Sequence, residues 1–226
     1  MYVKKRYLGF WLLALAGLDA RADVLYDSLT ASTAASAGFN LVNAADFGPL
    51  ADSISTGGAA FALTDVQLAL TNTDPSSTGT VTVYLLSDSA TSLGAVLANL
   101  GAVSDSVLSS YTPATVDFPQ SQAIELAANT RYWIEVSGSS DSNAGWSYTA
   151  DTSGVGVAGE YNANSFQVYA NSGDPSLNLI NDPYQLQVNG VSAVPLPGGA
   201  SLFVSALGVL GLAGRRSFAN SNGRKG

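Results

Sequence analysis

The side chains able to do chemistry here are carboxylates, amides and aromatics, because the sequence contains neither histidine nor cysteine. Without histidine the chain lacks the commonest general base and zinc ligand. Its serines have no histidine partner and sit in no nucleophile-elbow motif, so acyl transfer is not indicated. Three glutamates are present, Glu125, Glu135 and Glu160. A glycosidase needs two carboxyls at a set separation, and Glu125 and Glu135 stand in ordinary strand contexts. No Gly-rich loop joins a strand to a helix as phosphate binding requires. The sequence reads as non-enzymatic, with no catalytic residue to assign.

Binding is the second kind of chemistry on offer. An exposed aromatic on a sheet face stacks on a sugar ring, and Trp133 alternates away from Tyr132, Ile134 and Val136 in "RYWIEVSG". Trp146 and Tyr148 share one face of a nearby strand and would extend a carbohydrate platform. The competing assignment is that these rings fill a second core layer or cover a sheet edge, as large aromatics usually do. The platform assignment makes Trp133 cheaper to truncate than Ile134. Asp141, Asn143 and Asp151 form one oxygen-rich group, and Asn178, Asn181 and Asp182 another. Calcium takes such ligands, but no EF-hand spacing is present and the same residue types make turns. No cofactor or metal is assigned, and calcium stands as a candidate alone.

The elements that must position these residues are strands. Val66, Leu68 and Leu70 alternate with polar or small residues, as do Val81, Val83 and Leu85, the triplet around Trp133, and Leu186 with Val188. Period two over short runs gives strands with one buried face. Turn-rich breaks such as "TNTDPSSTG", "SGSSDSNAG" and "NSGDPS" separate them. Strands are predicted near 24–29, 49–55, 60–71, 80–87, 95–100, 114–118, 122–126, 130–137, 145–149, 165–169 and 184–190. Residues 28–43 are weakly patterned and read as a loop. The fold class is all-β, an antiparallel β-sandwich or jelly roll spanning 23–192.

Both ends of the chain depart from this pattern. Lys4, Lys5 and Arg6 precede an apolar run from Tyr7 to Leu18, followed by Ala20-Arg21-Ala22. That is the layout of a secretory signal peptide over 1–22, with cleavage after Ala22 and a mature start at Asp23. Near the other end, Gly198–Gly214 is uncharged. As a helix it would measure about 25 Å, at the short end for a membrane span. Pro195 and Pro197 precede it and Arg215 and Arg216 stop it, followed by a polar tail over 217–226. The positive-inside rule keeps those arginines cytoplasmic and the large domain across the membrane.

Between Asp23 and Pro197 sixteen acidic residues face Arg131 alone, a net charge of −15. Such a domain repels nucleic acid and anionic lipid headgroups. An exported chain without cysteine must be stabilised by its core.

The order Val194-Pro195-Leu196-Pro197, apolar helix and arginine pair resembles the PEP-CTERM sorting signal of exported proteins in Gram-negative bacteria, here over 193–216. Leu196 stands where the motif usually has glutamate, a variation found in that family, and ten residues follow Arg216. The resemblance implies processing by exosortase, a membrane-embedded cysteine protease-transpeptidase. The apolar helix would then be a temporary membrane hold before the domain reaches the cell surface or the extracellular space. The stretches "TGGAAFALTDVQLALTN", "LGAVLANLGAVSDSVL", "IELAANTRYWIEVSGSS" and "AGWSYT" resemble the type R choice-of-anchor β domains over roughly 39–150. That resemblance implies a β fold and a surface address, without chemistry. The partners expected are signal peptidase, exosortase and the membrane, with exopolysaccharide as a candidate and nucleic acid excluded. The function expected is that of a cell-envelope or extracellular-matrix protein, and the alternative is a surface carbohydrate-binding module.

Overall fold

The computed structural model describes residues 23–30, 38–43, 48–89, 93–157 and 183–192, together with the backbone of 167–169. Ala20, Ala22, Val194, Pro195, Leu196, Pro197, Arg215 and Arg216 lie outside the described residues, as do the 198–214 segment, Glu160 and the group Asn178, Asn181 and Asp182. Among the described residues no helix is long and apolar enough to cross a membrane.

The described chain is all-β. Its strands are β1 (Asp23–Asp27), β2 (Gly38–Leu41), β3 (Leu50–Ser55), β4 (Phe61–Asn72), β5 (Thr80–Asp88) and β6 (Leu93–Ser104). After a single 3₁₀ turn at Asp105–Val107 come β7 (Ala114–Leu126), β8 (Arg131–Gly138), β9 (Ala144–Tyr148), β10 (Gln167–Tyr169) and β11 (Leu186–Ser192). They form a six-stranded and a five-stranded sheet, and neighbouring strands in both run antiparallel.

The five-stranded sheet has the order β10-β3-β8-β5-β6. The six-stranded sheet is organised by β4, whose twelve residues are long enough to serve three partners. β7 pairs along one edge of β4, from Phe61 to Leu70. β11 and β9 share the other edge end to end, covering Phe61–Leu68 and Leu70–Asn72. β1 then extends β11, and β2 extends β9.

The core lies between the two sheets and follows the alternation read from the sequence. Val66, Leu68 and Leu70 of β4 and Leu186 and Val188 of β11 face Val81, Val83 and Leu85 of β5 and Ile134 and Val136 of β8, all fully buried. Each such side chain contributes about 1.5–3 kcal/mol on leaving water. One polar link crosses the interior: the buried Asp52 of β3 accepts a hydrogen bond from the Tyr184 backbone N–H at 2.8 Å.

Two elements differ from expectation. The segment read as a loop over 28–43 contains β2, which has little pattern of its own and gains its place by pairing with β9. A side chain at Gly38 would meet the end of the Tyr148 phenol, which would have to move aside. The strands expected at 114–118 and 122–126 are one strand, β7. Its pairing with β4 shifts between Leu63 and Asp65, so the stretch after Pro119 bulges without ending the strand. Pro119 is tolerated because β7 pairs with β4 alone and leaves its other edge open.

Candidate functional site

Each strand alternation was correct about faces, and that separates the three aromatics. Trp133 lies on the outer face of the five-stranded sheet, whereas Trp146 and Tyr148 lie on the inner face of the six-stranded sheet, across the core. Trp133 is 1 % exposed and Trp146 is 0 % exposed. No shared platform exists, and neither indole presents a free ring for a sugar. The physical reason differs for each. Trp146 stacks on Tyr184, with ring centroids 4.4 Å apart at 14°, and its Nε1 donates to the Gln185 carbonyl at 3.0 Å. Trp133 packs with Ala51 and Leu86, flanked by Tyr84 and Leu93, as a second small core.

The lone basic residue of the domain serves this second core. Arg131 stands 5.5 Å from the centroid of the Trp133 ring and pairs with Asp88 through Nη2 and Nε, both at 3.0 Å. Trp133 Nε1 donates to the same Asp88 oxygen at 2.9 Å. The cation–π contact and the shared acceptor fix the indole in its plane. Glu135 shares the Trp133 face, and burial pushes its carboxyl above the ordinary value of 4.5. Glu125 is exposed on β7 in the other sheet, so these two glutamates form no pair.

Asp141 and Asn143 precede β9 and Asp151 follows it, which puts them at opposite ends of a strand about 17 Å long. They form no joint calcium site. Among the described residues no three acidic side chains come together to hold a metal ion.

What Asp141 and Asn143 join instead is a hydrogen-bonded hub around Asp105, which sequence reasoning missed. The Asp105 carboxyl is fully buried. It accepts from Ser77 Oγ at 2.6 Å, Ser142 Oγ at 3.0 Å and the Asn143 backbone N–H at 2.8 Å. Its backbone carbonyl takes the Asn72 side-chain amide at 3.0 Å, and Asn43 donates to the Ser142 carbonyl at 2.7 Å. Three loops are thereby fastened at one end of the sandwich in a chain without disulfides. The signal available in the sequence was an aspartate opening a turn straight after a strand, which is too common to mark a hub.

The outer face of the six-stranded sheet is polar. Asp27, Gln187, Gln67 and Asp117 stand in one register row across β1, β11, β4 and β7. Gln187 Nε2 donates to Asp27 at 3.0 Å, Gln67 Nε2 to Asp65 at 3.1 Å, and Asn189 Nδ2 to Asp65 and to Gln187, both at 3.2 Å. Next to this ladder a cleft of about 320 Å³ opens between Leu29 and the segment Thr112–Thr115, with Ala69, Ser147 and Gln185 as its floor. Comparison with protein-family models and with curated proteins finds no match to this chain.

Proposed function

We propose that the protein is an exported, non-enzymatic component of the cell envelope or extracellular matrix, sorted through its C-terminal segment. The observation that carries this reading is the order at the C-terminus: Val194-Pro195-Leu196-Pro197, an uncharged run over 198–214, then Arg215-Arg216. Paired with the basic, apolar and small-residue order of residues 4–22, it resembles a PEP-CTERM substrate with a cleavable leader.

The fold supports the reading in two ways. Strand β1, Asp23–Asp27, lies wholly after the expected cleavage point and so stays with the mature chain. β1 pairs antiparallel with β11, with Asp23 opposite Gly190 and Ser192 N–H donating to the Asp23 carboxylate at 3.4 Å. Leader and tail therefore attach at neighbouring points on the sheet, and the whole sandwich hangs from one side during its time at the membrane. The charge of the domain works in the same direction, holding it off anionic headgroups.

Pro195 and Pro197 lack a backbone N–H and keep the chain extended just outside the bilayer, a form suited to a protease cleft. A permanent anchor would need the apolar run and the arginines alone. Replacing both prolines with alanine should leave membrane insertion intact and block tail removal in a host with the sorting enzyme. Equal tail removal with and without the prolines would contradict the reading.

A further inference from the structure

We infer that the cleft on the outer face of the six-stranded sheet binds one ring of a neutral saccharide, with the Gln185 side-chain amide as its central donor. The inference is independent of how the chain is sorted.

The Gln185 side chain points to the outer face because Tyr184 and Leu186 on either side point into the core. It is 4 % exposed. The Ser147 hydroxyl, itself fully buried, donates to Gln185 Oε1 at 2.6 Å. That bond fixes the amide, with the oxygen held inward and Nε2 turned the other way. Nε2 has no hydrogen-bond partner among the described residues, yet it is not a sealed orphan. Its residual exposure is to the cleft that Gln185 lines. A buried amide held in place by one bond, with its two donor hydrogens left for something else, is a recognition element.

The walls say what that something is. Thr112 and Thr115 bring hydroxyls to the rim, while Leu29, Pro113, Ala114 and Ala69 supply aliphatic surface. Amide and hydroxyl donors beside CH surface match a ring carrying hydroxyls on carbon. A purely apolar ligand would leave the Gln185 amide unpaired, which is costly. Neither a carboxylate nor a basic side chain lines the cleft, and the domain around it is strongly acidic. An anionic ligand would find no counter-charge, and a cation no ligand set.

The volume of about 320 Å³ lies at the small end of ligand sites and suits one ring. An extended peptide is disfavoured by the backbone. β4 is paired on both edges beneath the cleft, and the Gln185 N–H and C=O already bond Ser147 and Ala69. No strand edge is free at the floor for β-augmentation; β7, whose other edge is open, lines the rim, and the neutral peptide control tests that edge. A longer saccharide leaving the cleft would meet Gln67 and Gln187, two residues along from Ala69 and Gln185 on the same face.

The test is a titration of the ¹⁵N-labelled full chain followed at the Gln185 side-chain amide, assigned by its loss in Gln185→Met. Glucose, galactose, mannose and N-acetylglucosamine are the probes, with glucuronate and a neutral Ala-Ser-Gly peptide as controls. At least one neutral sugar should shift the amide signals saturably, with Kd in the range of roughly 1–10 mM expected of so small a contact. Ala69→Leu, which fills the floor, should abolish the shift, and so should Thr115→Glu at the exposed rim. The inference is overturned if no neutral sugar moves the amide, if the peptide or glucuronate moves it equally well, or if both variants leave the shift unchanged.

Discussion

The two sheets of this molecule have outer faces of opposite character. On the five-stranded sheet Trp133, Leu86 and Ala51 make a second apolar layer, closed by the Arg131–Asp88 pair. On the six-stranded sheet the corresponding positions carry Asp65, Gln67, Gln187 and Asn189, joined to one another by amide and carboxylate hydrogen bonds. Strand alternation assigns a residue to a face in either sheet. It does not say whether that face is dry. The difference lies in side-chain chemistry: an indole loses little by burial if its N–H finds an acceptor, whereas a ladder of amides is best left partly wet.

Truncating Trp133 probes this contrast most strongly. Trp133→Ala should cost about 3–5 kcal/mol, comparable with Ile134→Ala at about 2–5 kcal/mol, read from denaturant midpoints with unchanged slopes. A cost for Trp133→Ala well below that of Ile134→Ala would mean that the outer layer is not a core at all.

The acceptor beneath the indole comes next. Asp88→Ala removes the partner of both Trp133 Nε1 and Arg131, at a cost of about 1–3 kcal/mol. In a Trp133→Phe background, which has no indole N–H, the cost should shrink, and a double-mutant cycle measures that coupling. Full additivity would show that the shared acceptor is idle.

On the polar face, by contrast, Gln187→Ala should change stability by about 0.5–1.5 kcal/mol, because water replaces the lost amide. A loss as large as that of Trp133→Ala would erase the distinction between the faces.

Glu135 gives the finest test, one of sign. Burial raises its carboxyl above 4.5, so the folded state holds the proton more tightly than the unfolded chain. Stability attributable to Glu135 is therefore highest at acid pH and falls as pH rises from 4.5 through the raised value. Glu135→Gln should match the parent protein in acid and melt at a higher temperature near neutrality. A variant that is less stable at neutral pH would mean that an unseen partner favours the carboxylate.

Much of the sandwich was legible because its strands carry their own pattern. β4, β5, β8 and β11 place their inward-facing residues by alternation alone, and Val66, Leu68, Leu70, Val81, Val83, Leu85, Ile134, Val136, Leu186 and Val188 are all buried. β2 was not legible, since Gly38–Leu41 becomes a strand through pairing with β9 rather than through its own residues. The Asp105 hub was hidden for a related reason: Ser77, Asp105 and Ser142 are far apart in sequence and meet only through the ends of three loops. For Trp133 the face was correct and the exposure was not, because a partner for the indole N–H comes from Asp88 at the end of another strand. Gln185 gave no sign at all, being one amide among several in "YQLQVNG" until Ser147 and Ala69 are set beside it.

The central claim is that both apolar ends are temporary and that the β domain between them is the mature protein. The intact mass of the protein recovered from the surface or medium of its native host tests this directly. The account predicts a chain that starts at Asp23 and lacks the segment from Gly198 onward. A mass that includes Met1, or a tail retained through Gly226 whether or not the host carries the sorting enzyme, would contradict it.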